Sequence, residues 1–156
     1  MNIDEITEFL GGRAGVLVLQ PGPGDGTPEL AWGDKFFYYA PDGEIPANSQ
    51  PFATVVTKNY PDDERSRLDR PGVFRVNIHA GTELFTEWTG RAPRDPEPAG
   101  TDPSTTDTVI AHPVYGKLGW LAVVAPGSRT AEPLRDLLSI AYDRARSRAQ
   151  RRDERR

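Results

Sequence analysis

Three short runs of aromatic and β-branched residues, separated by turn-forming residues, constrain this chain most. They occupy residues 35–39, 52–57 and 73–78, and Pro- and Gly-containing turns divide them. Short strands with this punctuation are typical of an antiparallel meander, in which each strand pairs with the next. Two more strands are predicted, at residues 16–19 and 119–125, so we expect a mainly antiparallel sheet of about five strands.

Helical patterns stand on either side of these strands. Residues 3–11 carry apolar side chains at helical spacing, and Asn2 with Glu5 matches a capping box at their start. A short middle helix is predicted at Thr82–Trp88, with its large apolar side chains turned inward. These are Leu84, Phe85 and Trp88.

A long C-terminal helix is predicted from about Ala131 to beyond Arg148, capped by Ser128 or Thr130. The fold class is therefore α+β. We expect a single domain over residues 1–143. Residues 91–108, rich in Pro, Asp, Thr and Gly, are expected to form a disordered surface excursion, and residues 144–156 an arginine-rich helical extension or tail.

Composition excludes several classes of protein. The 156 residues include no cysteine, which excludes disulfides and thiolate chemistry. Neither a signal peptide nor an apolar run long enough for a membrane span is found, so a cytoplasmic location without membrane contact is expected. Residues 144–156 carry a net charge of +5 and residues 1–143 a net charge of −9. The acidic body would repel a phosphate backbone, which argues against nucleic-acid binding by the domain itself. We expect a monomer or homodimer.

Several segments together resemble an actinobacterial family of domains of unknown function with about this length. They are residues 28–43, 51–58, 66–78, 112–115 and 119–120. The resemblance covers nearly the whole chain and implies no catalytic residue.

The order of elements is also similar, more distantly, to that of the MmcQ/YjbR-like proteins. Gly119-Trp120 stands where those proteins open a late strand, and residues 137–142 match their terminal helix. That family is described as DNA-binding-like, but the acidity of the present body argues against such a role, so the resemblance implies the fold rather than the function.

Strand alternation places Arg75, Asn77 and His79 on one face of the 73–78 strand and its continuation. If this face curves into a pocket, Arg75 can hold a carboxylate or phosphate and His79 can act as a general base. The alternative is a half-solvated sheet face on which Arg75 pairs with an acidic neighbour.

Trp32 and Tyr39 are candidate walls of the same pocket, and Asp34 a candidate hydrogen-bond acceptor or partner for His79. A purely structural turn at Asp34 is the alternative. The loop that carries Arg70 allows two interpretations: a functional role for its charged residues, or a bridge from Asp69 to Arg67 or Arg70 that locks the turn. The predicted ligand-binding set is Trp32, Tyr39, Lys58, Arg70, Arg75 and Asn77, and the predicted catalytic set is His79 and Asp34.

No cofactor and no metal are predicted. A metal site needs His79, His112 and a carboxylate such as Asp34 to converge, and the histidines lack the usual ligand spacing. We therefore expect a small-molecule-binding domain for a polar or anionic ligand. One alternative is a cofactor-independent lyase, isomerase or cyclase in which His79 or Asp34 carries a proton. Another is an adaptor that binds nucleic acid or protein through the arginine-rich tail.

Overall fold

A computed structural model describes residues 1–45 and 47–155 and confirms the α+β class. The helices and strands of this part of the chain are α1 (Ile3–Gly11), β1 (Val16–Leu19), β2 (Lys35–Tyr39), β3 (Ala53–Val56), β4 (Arg75–His79), α2 (Thr82–Thr89), β5 (Val109–Ala111), β6 (Trp120–Val124) and α3 (Ala131–Glu154). The N-terminal, short middle and long C-terminal helices are those that the sequence predicts.

The six strands form one antiparallel sheet with the order β1-β2-β3-β4-β6-β5. Strands β2, β3 and β4 are the predicted meander, β1 pairs with β2 at one side of it, and β6 pairs with β4 at the other. The sequence prediction of about five strands missed β5, which spans only three residues. Its position depends on pairing with β6, and three residues are too few to show the period-two pattern of a strand.

All three helices contribute to one core on one face of the sheet. The strand side chains in this core come from alternate positions, such as Phe37, Val55, Val76 and Leu121, and all four are fully buried. Alternation follows from the pleat, which sends successive side chains to opposite faces. The helices therefore occupy the face opposite to Arg75 and Asn77.

Loops, rather than helices, cover the other face. Val56 and Val124 point to this side and pack with Leu68, which lies in the loop between β3 and β4. Irregular chain packs less regularly on a sheet than a helix does. A concave space lies under these loops.

The two long helices begin differently. At the start of α1, Glu5 N donates to Asn2 Oδ1 at 2.8 Å and Asn2 N donates to Glu5 Oε1 at 3.2 Å, which confirms the predicted capping box. Of the two residues predicted to cap α3, Thr130 occupies the N-cap position, but its side chain makes no capping hydrogen bond to the helix. The hydroxyl of Thr130 donates instead to Asp107, whose carboxylate also accepts from the backbone N–H groups of Gly127, Arg129 and Thr130 and so holds the turn that precedes α3.

Two more local predictions have different outcomes. In α2, Phe85 is fully buried as predicted, but Trp88 is 41% exposed and does not face inward.

Residues 91–105 carry no helix or strand and form successive turns, and Arg65 makes an ion pair of 2.8 Å with Glu97 in this segment. The disorder expected for residues 91–108 stays a prediction.

Candidate functional site

A cavity of about 520 Å³ lies between the loop-covered face of the sheet and the loops above it. Its walls are mainly aromatic and aliphatic, and they include Phe36, Val56, Tyr60, Val114, Tyr115 and Trp120. A group of five polar side chains, which we call the polar floor, also lines it: Thr54, Asp63, Arg75, Asn77 and His112. Four of these five residues are buried, and Asp63 is half-buried.

Strand register explains how β3 and β4 supply three members of the floor. Thr54 lies opposite Asn77 in the antiparallel pair, and Arg75 is two residues from Asn77 on the same face. Asn77 Nδ2 donates to Thr54 Oγ1 at 2.8 Å, and Arg75 Nε donates to Asn77 Oδ1 at 2.7 Å. The polar face that the sequence predicts at Arg75 and Asn77 therefore lines this cavity.

Arg75 is 1% exposed, and its guanidinium is held by Asp63. Its Nη1 donates to Asp63 Oδ1 at 3.0 Å and its Nη2 to Asp63 Oδ2 at 2.5 Å, which is the two-pronged geometry of strong arginine–carboxylate pairs. Nη1 also donates to Ser66 Oγ at 3.0 Å. Burial raises the pKa of Asp63, but the hydrogen bond and the charge of Arg75 outweigh burial and lower it overall. The floor thus holds one cation and one anion that neutralise each other.

His112 connects the floor to the loop above it. Its Nδ1 accepts from the backbone N–H groups of Val114 and Tyr115 at 3.0 and 2.9 Å, and its Nε2 lies 3.2 Å from Arg75 Nη2. Burial and then the charge of Arg75 lower the pKa of His112 to about 3, although Asp63 acts in the opposite direction. The imidazole is therefore neutral near pH 7.

Asp34, Lys58 and Trp32 form a separate cluster outside the cavity lining. The fully buried Asp34 carboxylate accepts from Thr57 N and Oγ1, each at 2.8 Å, and from Lys58 Nζ at 3.0 Å. Lys58 Nζ also donates to the Trp32 carbonyl at 2.8 Å. These bonds tie the chain after β3 to the turn before β2, so the arrangement supports the structural alternative for Asp34.

Tyr60 joins that cluster to the cavity, because its hydroxyl donates to Asp34 while the residue lines the cavity wall. Burial, with the hydrogen bond and charge of Asp34, raises the pKa of Tyr60 well above its ordinary value of 10. The phenol therefore stays protonated and holds the wall in place.

Tyr39, Arg70 and His79 are also outside the cavity lining. Tyr39 faces the helices, with its ring centroid 6.1 Å from that of Tyr142. Arg70 binds the carbonyl groups of Arg67, Ser66 and Ser104, and in the described part of the chain Asp69 forms no ion pair with it. The loop is therefore fixed by arginine–carbonyl bonds.

The imidazole of His79 stacks on Trp120 with ring centroids 5.1 Å apart. Burial, together with the charges of Arg148 and Arg144, lowers the pKa of His79 to about 4. The partners of Asp34 are Thr57, Lys58 and Tyr60, so the structure does not bring His79 and Asp34 together.

Sequence reasoning did not single out Asp63, Thr54 or Trp120 as site residues, and it considered His112 only as a metal ligand. Thr54 had a usable signal, because it lies on the same alternating face of β3 as Val56. The sequence contains no comparable signal for Asp63, because this residue lies in a loop 12 residues before Arg75, where no strand periodicity applies. Among residues 1–45 and 47–155, no group of three or more Asp, Glu or His side chains is arranged to hold a metal ion.

The fold and the cavity define the class of this protein: a helix-backed antiparallel sheet with a loop-covered cavity on its other face. The chain belongs to a family of unknown function, DUF6194, whose profile matches residues 1–154. Comparison with curated proteins and with solved structures gives no match. None of the helices in the described part of the chain is long and apolar enough to cross a membrane.

Proposed function

We propose that this protein binds a polar small molecule in the cavity over Arg75. The observation that carries the proposal is a concave space of about 520 Å³ with apolar walls and a few convergent polar side chains. Small-molecule sites in proteins combine these features, with volumes of roughly 300–1,000 Å³. The apolar walls supply affinity, and the polar floor supplies orientation.

Residue placement supports binding rather than proton transfer. A general base must reach its substrate within about 3 Å, directly or through one water. Neither His79 nor Asp34, the two predicted proton carriers, lines the cavity. The ionised pair in the floor, Arg75 and Asp63, is occupied by mutual hydrogen bonds. A binding site therefore accounts for the arrangement better than the alternative of a lyase, isomerase or cyclase.

A fragment titration followed by ¹⁵N–¹H NMR tests the proposal. Suitable probes are benzamide, nicotinamide and uracil, each of which combines a ring with a carbonyl group. Fragments of this size bind with Kd values of about 1 mM, so they are added to several times that concentration. We expect the indole N–H of Trp120 and the side-chain amide of Asn77 to shift, because both residues line the cavity.

Two tryptophan substitutions provide the blocking variant and its control. Val114→Trp adds bulk inside the cavity, whereas Leu118→Trp adds it four residues away, at an exposed position of the same loop region. We expect the shifts to disappear in Val114→Trp and to persist in Leu118→Trp. Equal shifts in both variants would place the binding elsewhere, and the absence of any cavity shift with all three probes would refute the proposal.

A further inference from the structure

Three N–H groups point at the imidazole of His112. Two are the backbone N–H groups of Val114 and Tyr115, both directed at Nδ1, and the third is on Nη2 of Arg75, directed at Nε2. A neutral imidazole has one acceptor nitrogen and one N–H, so it cannot accept at both positions. One of its two contacts is therefore a contact between donors.

Counting donors decides which contact this is. If Nε2 accepts from Arg75, then Nδ1 carries the proton, and three N–H groups lack an acceptor: that of Nδ1 and those of Val114 and Tyr115. If Nδ1 accepts instead, only the Nε2 proton and one Nη2 proton of Arg75 lack an acceptor. The first arrangement thus creates two donor–donor contacts, at 3.0 and 2.9 Å from Nδ1, whereas the second creates one, at 3.2 Å from Nε2. Because an N–H group that faces another donor forfeits its hydrogen bond, the second arrangement is favoured.

The result is a pair of N–H groups, on His112 Nε2 and Arg75 Nη2, whose nitrogens are 3.2 Å apart. Both residues line the cavity. The other four N–H groups of Arg75 already donate to Asn77, Ser66 and the two oxygens of Asp63. One acceptor atom beside this pair satisfies both remaining donors.

The charge of the cavity restricts the ligand that carries this atom. Asp63 neutralises Arg75, and Asp62 at the exposed edge adds a negative charge, so the lining has a net charge of −1. An anionic ligand therefore gains little electrostatic attraction in this cavity, although a single arginine in a pocket on its own would indicate an anion-binding site. The aromatic walls at Phe36, Tyr115 and Trp120 are suited to a flat ring.

We infer that the ligand is an uncharged, ring-containing molecule whose carbonyl oxygen accepts from His112 Nε2 and Arg75 Nη2. Aromatic carboxamides and cyclic amides belong to this class. The inference rests on the proposed function, and it adds the chemistry of the ligand and assigns His112 as a residue that determines specificity.

The first test needs no ligand. Long-range ¹⁵N–¹H correlation of the histidine side chains at pH 7 reports the tautomer of each ring. We expect His112 to have an unprotonated Nδ1 and a protonated Nε2. A proton on Nδ1 would overturn the inference and leave the proposed function intact.

The second test compares benzamide with benzoate, which have nearly the same shape and differ in charge. We expect benzamide to bind at least about tenfold more tightly, a difference of about 1.4 kcal/mol. Benzoate binding as tightly or more tightly would overturn the inference, although it would still support a binding cavity. If neither compound shifts the Trp120 or Asn77 resonances, the inference fails, and the proposed function fails with it when nicotinamide and uracil are equally without effect.

The third test removes the Nε2 proton without disturbing the loop. In His112→Asn, the side-chain oxygen can still accept from Val114 and Tyr115, but no donor reaches the Nε2 position. We expect the affinity for benzamide to fall about fivefold, as for one lost hydrogen bond. An unchanged affinity for benzamide in a folded His112→Asn protein would contradict the inference.

Discussion

Asp63→Asn removes the carboxylate that neutralises Arg75 and leaves a side chain of the same size. The side chain of Arg75 is 2% exposed, so its charge cannot turn to solvent once the partner is gone. Removing one member of a buried ion pair costs about 3–5 kcal/mol, because the other charge stays buried and unpaired. We expect a loss near 3 kcal/mol, since Asp63 itself is 13% exposed and the amide oxygen retains one hydrogen bond.

The neighbouring carboxylate provides a matched control. Asp62 is exposed and has a backbone φ of 64°, a conformation that asparagine also adopts readily. Asp62→Asn therefore removes the same charge from the same loop at a cost within about 0.5 kcal/mol.

Urea unfolding followed by far-UV circular dichroism measures both variants. Domains of this kind have free energies of unfolding of about 5–15 kcal/mol, so the Asp63→Asn protein should still fold. Equal stabilities of the two variants would refute the argument that Arg75 depends on Asp63.

Three further outcomes are expected. In the folded protein the pKa of His112 is about 3, whereas its ordinary value is 6.5. Between these two pH values the imidazole is protonated in the unfolded chain but not in the folded protein. The free energy of unfolding therefore falls as the pH is lowered through this range. His112→Asn should reduce the slope of unfolding free energy against pH by about 1 kcal/mol per unit over this range; an unchanged slope in urea titrations would contradict a neutral His112. Asp107→Gly should destabilise by about 1 kcal/mol, because the hydrogen bonds that hold the turn before α3 are lost while glycine suits the backbone φ of 48°; thermal unfolding at an unchanged midpoint would show that these bonds do not stabilise the protein. Gly119→Ala should destabilise the protein more than Gly72→Ala. Both glycines have a positive φ, but only at Gly119 would the added Cβ lie 3.2 Å from the backbone of Gly81. Equal losses of unfolding free energy in urea would exclude that contact.

Local patterns predicted the elements of the fold because the physical cause of each is local. Asn2 and Glu5 sit three residues apart and cap α1 by themselves. The pleat of β4 follows from backbone geometry, so Arg75 and Asn77 could be assigned to one face before the rest of the site was known. These two residues are the part of the predicted site that the structure places in the cavity.

The rest of the site depends on contacts between distant parts of the chain. The Phe36–Tyr39 run is aromatic on both faces, so the pattern could not show that Tyr39 faces the helices and Phe36 the cavity. The partners of Arg75 come from 12 residues before it and 37 residues after it, and no periodicity connects them. His79 follows the predicted alternation, but Trp120, from the paired strand β6, stacks on it.

The most direct test of a ligand site over Arg75 is an isotope-filtered NOE experiment on the labelled protein with unlabelled benzamide. The account predicts NOEs from the ring protons of benzamide to the side chains of Trp120, Tyr115 and Val114. NOEs confined to the arginine-rich surface of α3, or to the helix-covered side of the sheet, would contradict it.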